Sequence, residues 1–257
     1  MLASHAWDPG AGGTPRPLAV LVHGVTGWHR TWWRVGPALA ALGWRVVAVD
    51  QRGHGHSPRI DGTTTSGELA DDLATTIDAL GGSADVLVGH SLGGAVAAEL
   101  AFTRPERVRR LVIEDPPAIS RVGDLAWLDR LDAEIAAAID DPEAEVRREL
   151  AENARWLEED ARQDVEGRAL VDRVGLQATF RGDVGNRVPA LLPQLTVPTL
   201  LLLASEGRSV FPPAMRQQLA PALPPNVRVE VVDSGHTIHR DRFSEWMRLV
   251  TEWLATA

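Results

Sequence analysis

Short apolar runs punctuated by Gly- and Pro-bearing loops recur along the chain, at residues 18–22 (LAVLV), 45–50 (RVVAVD), 86–88 (VLV), 108–113 (VRRLVI), 197–204 (VPTLLLLA) and 227–232 (VRVEVV). Runs of this length without alternation predict strands of a parallel sheet covered on both faces. Between them the period lengthens. Residues 65–80 carry Leu69, Leu73, Ile77 and Leu80 at helical spacing, and residues 30–42 carry Trp33, Pro37, Leu39 and Leu42 up to Gly43, a helix with a glycine stop. An Ala-rich segment follows residue 94, and further helices are expected at 213–219 and 243–254. The first 17 residues are rich in Gly and Pro, with at most one short strand near 2–7. Strands alternating with helices predict an α/β class, a mostly parallel, doubly wound sheet.

From residue 117 to about 192 the pattern changes. Strand-like runs vanish, and Leu125, Leu128, Leu131, Ile135 and Ile139 mark one helical face while Val146, Leu150 and Leu157 mark another. Asp141-Pro142 is a helix start, with an N-cap aspartate and proline at the first helical position. The expected organisation is a core of residues 1–116 and 193–257 with an all-helical cap, 117–192, inserted between them. Proline-rich corners at Pro116-Pro117, Pro189 and Pro193 fix the geometry of the junctions. No internal repeat or low-complexity linker is present.

Composition narrows the function. The 257 residues are 44% hydrophobic, enough for a full core. Net charge is −9, and residues 116–190, with 17 acidic and 10 basic side chains, hold −7 of it. That balance offers no electrostatic footprint for nucleic acid or for an anionic membrane. The chain has no cysteine, which excludes disulfides, thiolate catalysis and cysteine-based metal sites. The N-terminus lacks a basic segment followed by an apolar run, and no apolar stretch approaches 18 residues, so a soluble cytoplasmic protein is expected.

The chemistry centres on Val86-Leu87-Val88-Gly89-His90-Ser91-Leu92-Gly93-Gly94. A strand that breaks at Gly-x-Ser-x-Gly and passes into a helix projects the serine hydroxyl above the sheet edge, and the helix N-terminus favours negative charge there. Far downstream, after the last predicted strand, lies Ser234-Gly235-His236-Thr237-Ile238-His239. Serine then histidine, with His23-Gly24, Asp50-Gln51-Arg52-Gly53-His54-Gly55, Gly89-His90-Ser91-Leu92-Gly93 and Gly235-His236 in this order, resembles the α/β-hydrolase fold family over nearly the whole chain.

The resemblance implies a nucleophile, Ser91, and a base, His236, with His239 as a less fitting rival outside the Gly-His pattern. Imidazole suits the role because a neutral hydroxyl needs a base that titrates near neutrality. His90, His54 and His56 are expected to be structural. In most of the family the acid follows the strand matching residues 199–204, yet Arg208 stands where it would fall. Some members carry the acid one strand earlier, where Asp115 sits. Asp115 is therefore favoured, with Glu206 and then Glu114 as alternatives. The oxyanion hole needs two backbone donors, expected to be the N–H groups of Leu92 and Val25. Trp28, Trp32, Trp33, Trp127 and Trp156 follow these motifs or fall in the cap, and Trp28, Trp127 and Trp156 are expected to line an apolar, ring-accepting cleft.

Two absences discriminate. Epoxide hydrolases and haloalkane dehalogenases of this fold place aspartate at the elbow, and epoxide hydrolases use cap tyrosines; this chain has Ser91 and no tyrosine. What remains is acyl chemistry on a small apolar carbonyl compound, most simply an ester or lactone, with no cofactor or metal implied. Alternatives on the same scaffold are C–C bond hydrolysis, perhydrolysis, acyl transfer, cofactor-independent dioxygenation, or a non-catalytic ligand receptor.

Overall fold

Seven strands form one sheet in the order β1-β3-β2-β4-β5-β6-β7: β1 Ser4–Trp7, β2 Leu18–Val22, β3 Arg45–Val49, β4 Val86–His90, β5 Leu111–Glu114, β6 Thr199–Ala204 and β7 Val227–Val232. Only β1 runs antiparallel, against β3; every other pair is parallel. The computed structural model describes residues 1–8, 16–118, 124–181, 187–205 and 207–256. Strands β2, β4, β5 and β6 are buried at every position, as their unbroken apolar runs require. Successive side chains point to opposite faces. Val20, Leu87, Ile113 and Leu201 join one apolar cluster with α2 (Ser66–Leu80) and α3 (Leu92–Thr103). Leu21, Val88, Val112 and Leu200 join the other, with α1 (Val35–Ala41) and α11 (Phe243–Thr256).

Local chemistry sets the helix starts. At α2 the Thr65 hydroxyl accepts the Glu68 N–H at 3.2 Å while the Glu68 carboxylate accepts the Thr65 N–H at 2.8 Å, a reciprocal cap. Two expectations shift. Residues 30–42 are not one helix: a 3-10 turn, His29–Trp32, precedes α1. The Thr31 hydroxyl accepts the Trp28 N–H, and Trp32 turns into the core while the neighbouring indole of Trp33 reaches Asp160. The strand expected from residue 108 begins at Leu111; Val108 only bridges Ala84, and Arg109 turns outward to pair with Asp85.

Between β5 and β6 the chain is helical: α4 Leu125–Asp140, α5 Pro142–Glu152, α6 Glu158–Leu170, α7 Arg173–Arg181 and α8 Val188–Leu191; α9, Pro213–Leu219, follows β6. Asp124 and Asp141 cap α4 and α5 by accepting the Trp127 and Ala144 N–H groups, each at 3.0 Å. Leu128, Leu131, Ile135, Leu176 and Phe180 extend the α2–α3 cluster, so the insertion shares the core's apolar interior. Polar ties complete the seam. Indole N–H groups of Trp28, Trp33 and Trp156 donate across it to the Gln163 carbonyl, Asp160 and Asp241 at 3.1, 2.9 and 2.9 Å. Arg240, in the short α10 (Ile238–Asp241), donates to Asp164 at 2.6 Å; Arg168 in turn meets Asp164 and Glu149, each at 2.6 Å. These charges are buried together, so each depends on its partners.

Two histidines at strand ends are locked in the neutral form. His23, fully buried, donates from Nδ1 to the Gly24 carbonyl at 2.7 Å and accepts the Gln51 N–H on Nε2 at 3.0 Å. Burial, with nearby His54, pushes its pKa down to about 3. His90 donates from Nε2 to the His236 carbonyl at 3.2 Å. Burial first, then electrostatic repulsion from the neighbouring His236, His239 and Arg240, holds it well below the ordinary range.

Two outcomes are expected. Arg168→Ala leaves Asp164 with Arg240 and Glu149 with Arg148 as their remaining partners, and urea unfolding at neutral pH should show a loss of about 1–3 kcal/mol. Unfolding releases His23 and His90 to titrate near 6.5, so below that pH the unfolded state binds more protons and stability falls on acidification. The slope contributed by the pair should reach up to about 2.7 kcal/mol per pH unit, and His90→Gln, which keeps an uncharged donor, should flatten it in a series of urea midpoints.

Candidate active site

The parallel strands deliver their C-terminal ends to one edge of the sheet, where ligands of open α/β sheets bind. Ser91 follows β4 directly, with φ 52° and ψ −120°. A Cβ on Gly89 would lie 2.3 Å from the Gly93 carbonyl oxygen, and one on Gly93 would lie 2.4 Å from the carbonyl oxygens of Val22 and His23. The turn therefore closes only with hydrogen at both positions. Thr26 (φ 63°) and Asp115 (φ 39°) are the other non-glycine residues with positive φ among the described residues. All three sit at this edge, after β2, β4 and β5, and such backbone concentrates at functional sites.

Asp115, with no exposed surface, directly follows β5. Its Oδ2 lies 2.7 Å from His236 Nδ1 and accepts the Val210 N–H at 3.1 Å; its Oδ1 accepts the Ala204 N–H at 3.1 Å and the Ser209 hydroxyl. Four donors fill the carboxylate, which keeps it oriented. The His236 ring remains about one-third exposed, at 32%. His90 packs beneath it with ring centroids 4.6 Å apart. The segment after β6, where the resemblance alone would place the acid, instead supplies Ser209 and Val210 as donors to Asp115. Arg208 turns outward to Asp233 at 2.9 Å.

The alternative acids fall elsewhere. Glu114 is buried and accepts from His239 Nδ1 and from the Trp246 indole N–H, each at 2.9 Å. His239 stacks on Trp32 at 4.4 Å. A second histidine–carboxylate pair thus lies beneath the first, inside the core rather than on the cavity. Its signal was available in the adjacent acids Glu114-Asp115 and the three-residue offset of His236 and His239. Glu206 lies outside the described residues.

Ser91 and His236 share a cavity of about 310 Å³ lined also by Val25, Leu92, Trp127 and Phe180. Trp127 meets the Phe180 ring edge-to-face at 4.9 Å. No arginine, lysine or carboxylate side chain lines it among the described residues. Trp28 and Trp156, expected in this lining, are not there. Each is an amphipathic ring whose N–H needs an acceptor when buried, and each finds it in the seam between insertion and core. A larger but open hollow of about 670 Å³ between α4, α5 and α6 holds none of these groups.

Comparison with known proteins agrees with this architecture. The family model described as alpha/beta hydrolase fold matches residues 17–243. A Bacillus subtilis protein provisionally named 2-succinyl-6-hydroxy-2,4-cyclohexadiene-1-carboxylate synthase is 30% identical over 257 residues, 92% of this chain and 90% of its own. The mouse sn-1-specific diacylglycerol lipase ABHD11 is 30% identical over 265 residues, 93% of this chain and 81% of its own. A thermophilic esterase from Thermogutta terrifontis superposes with a TM-score of 0.76 at 25% identity, covering 99% of this chain and 93% of that one. With its sheet order, its serine turn after β4 and a family match across most of its length, the chain belongs to the α/β-hydrolase fold family.

Proposed function

We propose that this protein is a serine hydrolase acting on a small, uncharged, apolar ester or lactone through an acyl-enzyme. The observation that carries the reading is the 2.7 Å contact of Asp115 with His236 Nδ1, on a ring that lines the same cavity as Ser91. The contact fixes the proton on Nδ1 and leaves Nε2 as the basic atom. Nε2 takes the Ser91 proton as Oγ attacks the carbonyl carbon, and the Asp115 carboxylate stabilises the resulting imidazolium. The tetrahedral oxyanion meets the N–H groups of Leu92 and Val25. As the intermediate collapses, the C–O bond to the leaving group breaks and His236 returns the proton to that oxygen. Water, deprotonated by His236, then cleaves the acyl-enzyme.

The lining supports the substrate class. Val25, Leu92, Trp127, Phe180, Val210 and Pro212 present hydrocarbon, and no arginine faces the cavity among the described residues to pair with a substrate carboxylate. Residues 117–192 act in this reading as the cap, supplying Trp127 and Phe180 to the acyl pocket.

Fluorophosphonate treatment should place one adduct on Ser91, detected by peptide mass spectrometry, and Ser91→Ala should abolish turnover of p-nitrophenyl esters while leaving the circular dichroism spectrum unchanged. A label on another serine with activity lost would overturn the assignment. Asp115→Asn keeps the shape but holds the wrong tautomer, and kcat should fall up to about 10⁴-fold. Across an ester panel, neutral short acyl chains should be preferred to acyl chains ending in a carboxylate; the reverse order would refute the substrate class.

A further inference from the structure

Outside the cavity, three side chains converge on the turn after β3. Asp50 is fully buried. Its Oδ1 accepts the His29 backbone N–H at 2.6 Å and faces His29 Nδ1 at 3.0 Å; its Oδ2 accepts the His56 backbone N–H at 2.9 Å and lies 3.5 Å from His56 Nδ1. One donor atom from each residue falls within 4.8 Å of the others. An ion held at about 2.0–2.2 Å by imidazole and carboxylate sets its donors roughly 3.0–3.6 Å apart, so small side-chain rotations bring all three into range.

The surroundings are built for it. The Asp50 carboxylate is held by two backbone N–H groups, one from His29 on Oδ1 and one from His56 on Oδ2. Those backbone donors aim the carboxylate, as supporting groups do around metal ligands. A Cβ on Gly55 (φ +50°) would fall 2.3 Å from Asp50 Oδ2, so the pocket for the carboxylate exists only with glycine there. His5 stacks on the His29 ring at 5.4 Å and 15°, and Trp28 flanks it at 4.6 Å. The His56 side chain is 63% exposed, which gives an ion access from solvent.

We propose that His29, Asp50 and His56 bind one divalent transition-metal cation, with Zn²⁺ the fitting probe, leaving a further coordination position to water. Two imidazoles and one carboxylate suit such an ion. The His29 proton moves from Nδ1 to Nε2, and the metal replaces the Nδ1 to Oδ1 hydrogen bond. Because His29 follows the loop that bears Val25, the ion would staple that loop to the turn after β3. None of the three ligands lines the cavity, so the site stands apart from the proposed hydrolytic chemistry.

Isothermal titration of the EDTA-treated full chain with Zn²⁺ should show one saturable site, and bound Zn²⁺ should raise Tm. His56→Ala and His29→Ala should each weaken binding at least about 10-fold and abolish the Tm shift, with unchanged circular dichroism reporting an intact fold. His5→Ala, which removes a stacked ring but no donor atom, should still bind one Zn²⁺ and raise Tm. The proposal is overturned if wild-type protein shows no saturable binding up to ~1 mM, if either ligand variant binds as tightly as wild type, or if His5→Ala alone removes binding.

Discussion

The closure of the turn at Ser91 is the constraint on which the rest depends. The chain leaves β4, reverses through a left-handed serine and enters α3 with the Gly93 backbone pressed against the carbonyls that end β2. That close approach sets the spacing between β2 and β4, and with it the position of the loop bearing Val25 relative to Leu92. The Ser91 N–H bonds the Glu114 carbonyl at 2.9 Å, and the Asp115 N–H bonds that of Leu202 at 2.8 Å. The sheet ladder thus continues one residue past β4 and β5, and it fixes serine and aspartate in register before any side chain is considered.

Much of this was legible in the residues. Strands without alternation announced a sheet buried on both faces, and the spacing of Leu69, Leu73, Ile77 and Leu80 announced α2. The family resemblance pointed to Ser91 and His236 as the pair to seek, but a sequence alone left three carboxylates open. What separates them is register: Glu114 and Asp115, adjacent in the chain, leave the strand in different directions, one into the core towards His239 and one towards His236. The tryptophans misled for a related reason. An indole is apolar enough to read as pocket lining, yet its single N–H decides its place, and acceptors such as Asp160 and Asp241 are separated from it by tens of residues. The convergence of His29 and His56 on Asp50 was equally invisible, since the spacing of 21 and 6 residues matches no compact ligand motif.

The net charge of the inserted helices takes on a different meaning once they are seen in place. Acidic side chains there are not all solvated: Asp160, Glu145 and Glu149 are buried, and they meet arginines from both the insertion and the core. Such pairs add little net stability over apolar packing, but removing one partner is costly. They act as registration points. Arg240 follows His236 by four residues in the chain, so its bond to Asp164 ties the helical insertion to the same loop that holds the imidazole.

This seam bears on traffic. Swinging the helices away from the sheet as one body would break three indole hydrogen bonds, the Arg240–Asp164 pair and a continuous apolar interface in a single motion. Pro117, Val210 and Pro212, which also line the cavity, belong to the segments after β5 and β6, outside those ties. The same ties therefore hold the cavity wall formed by Trp127 and Phe180 against the strand ends, so the girth of the chamber is set by the packing of the whole insertion.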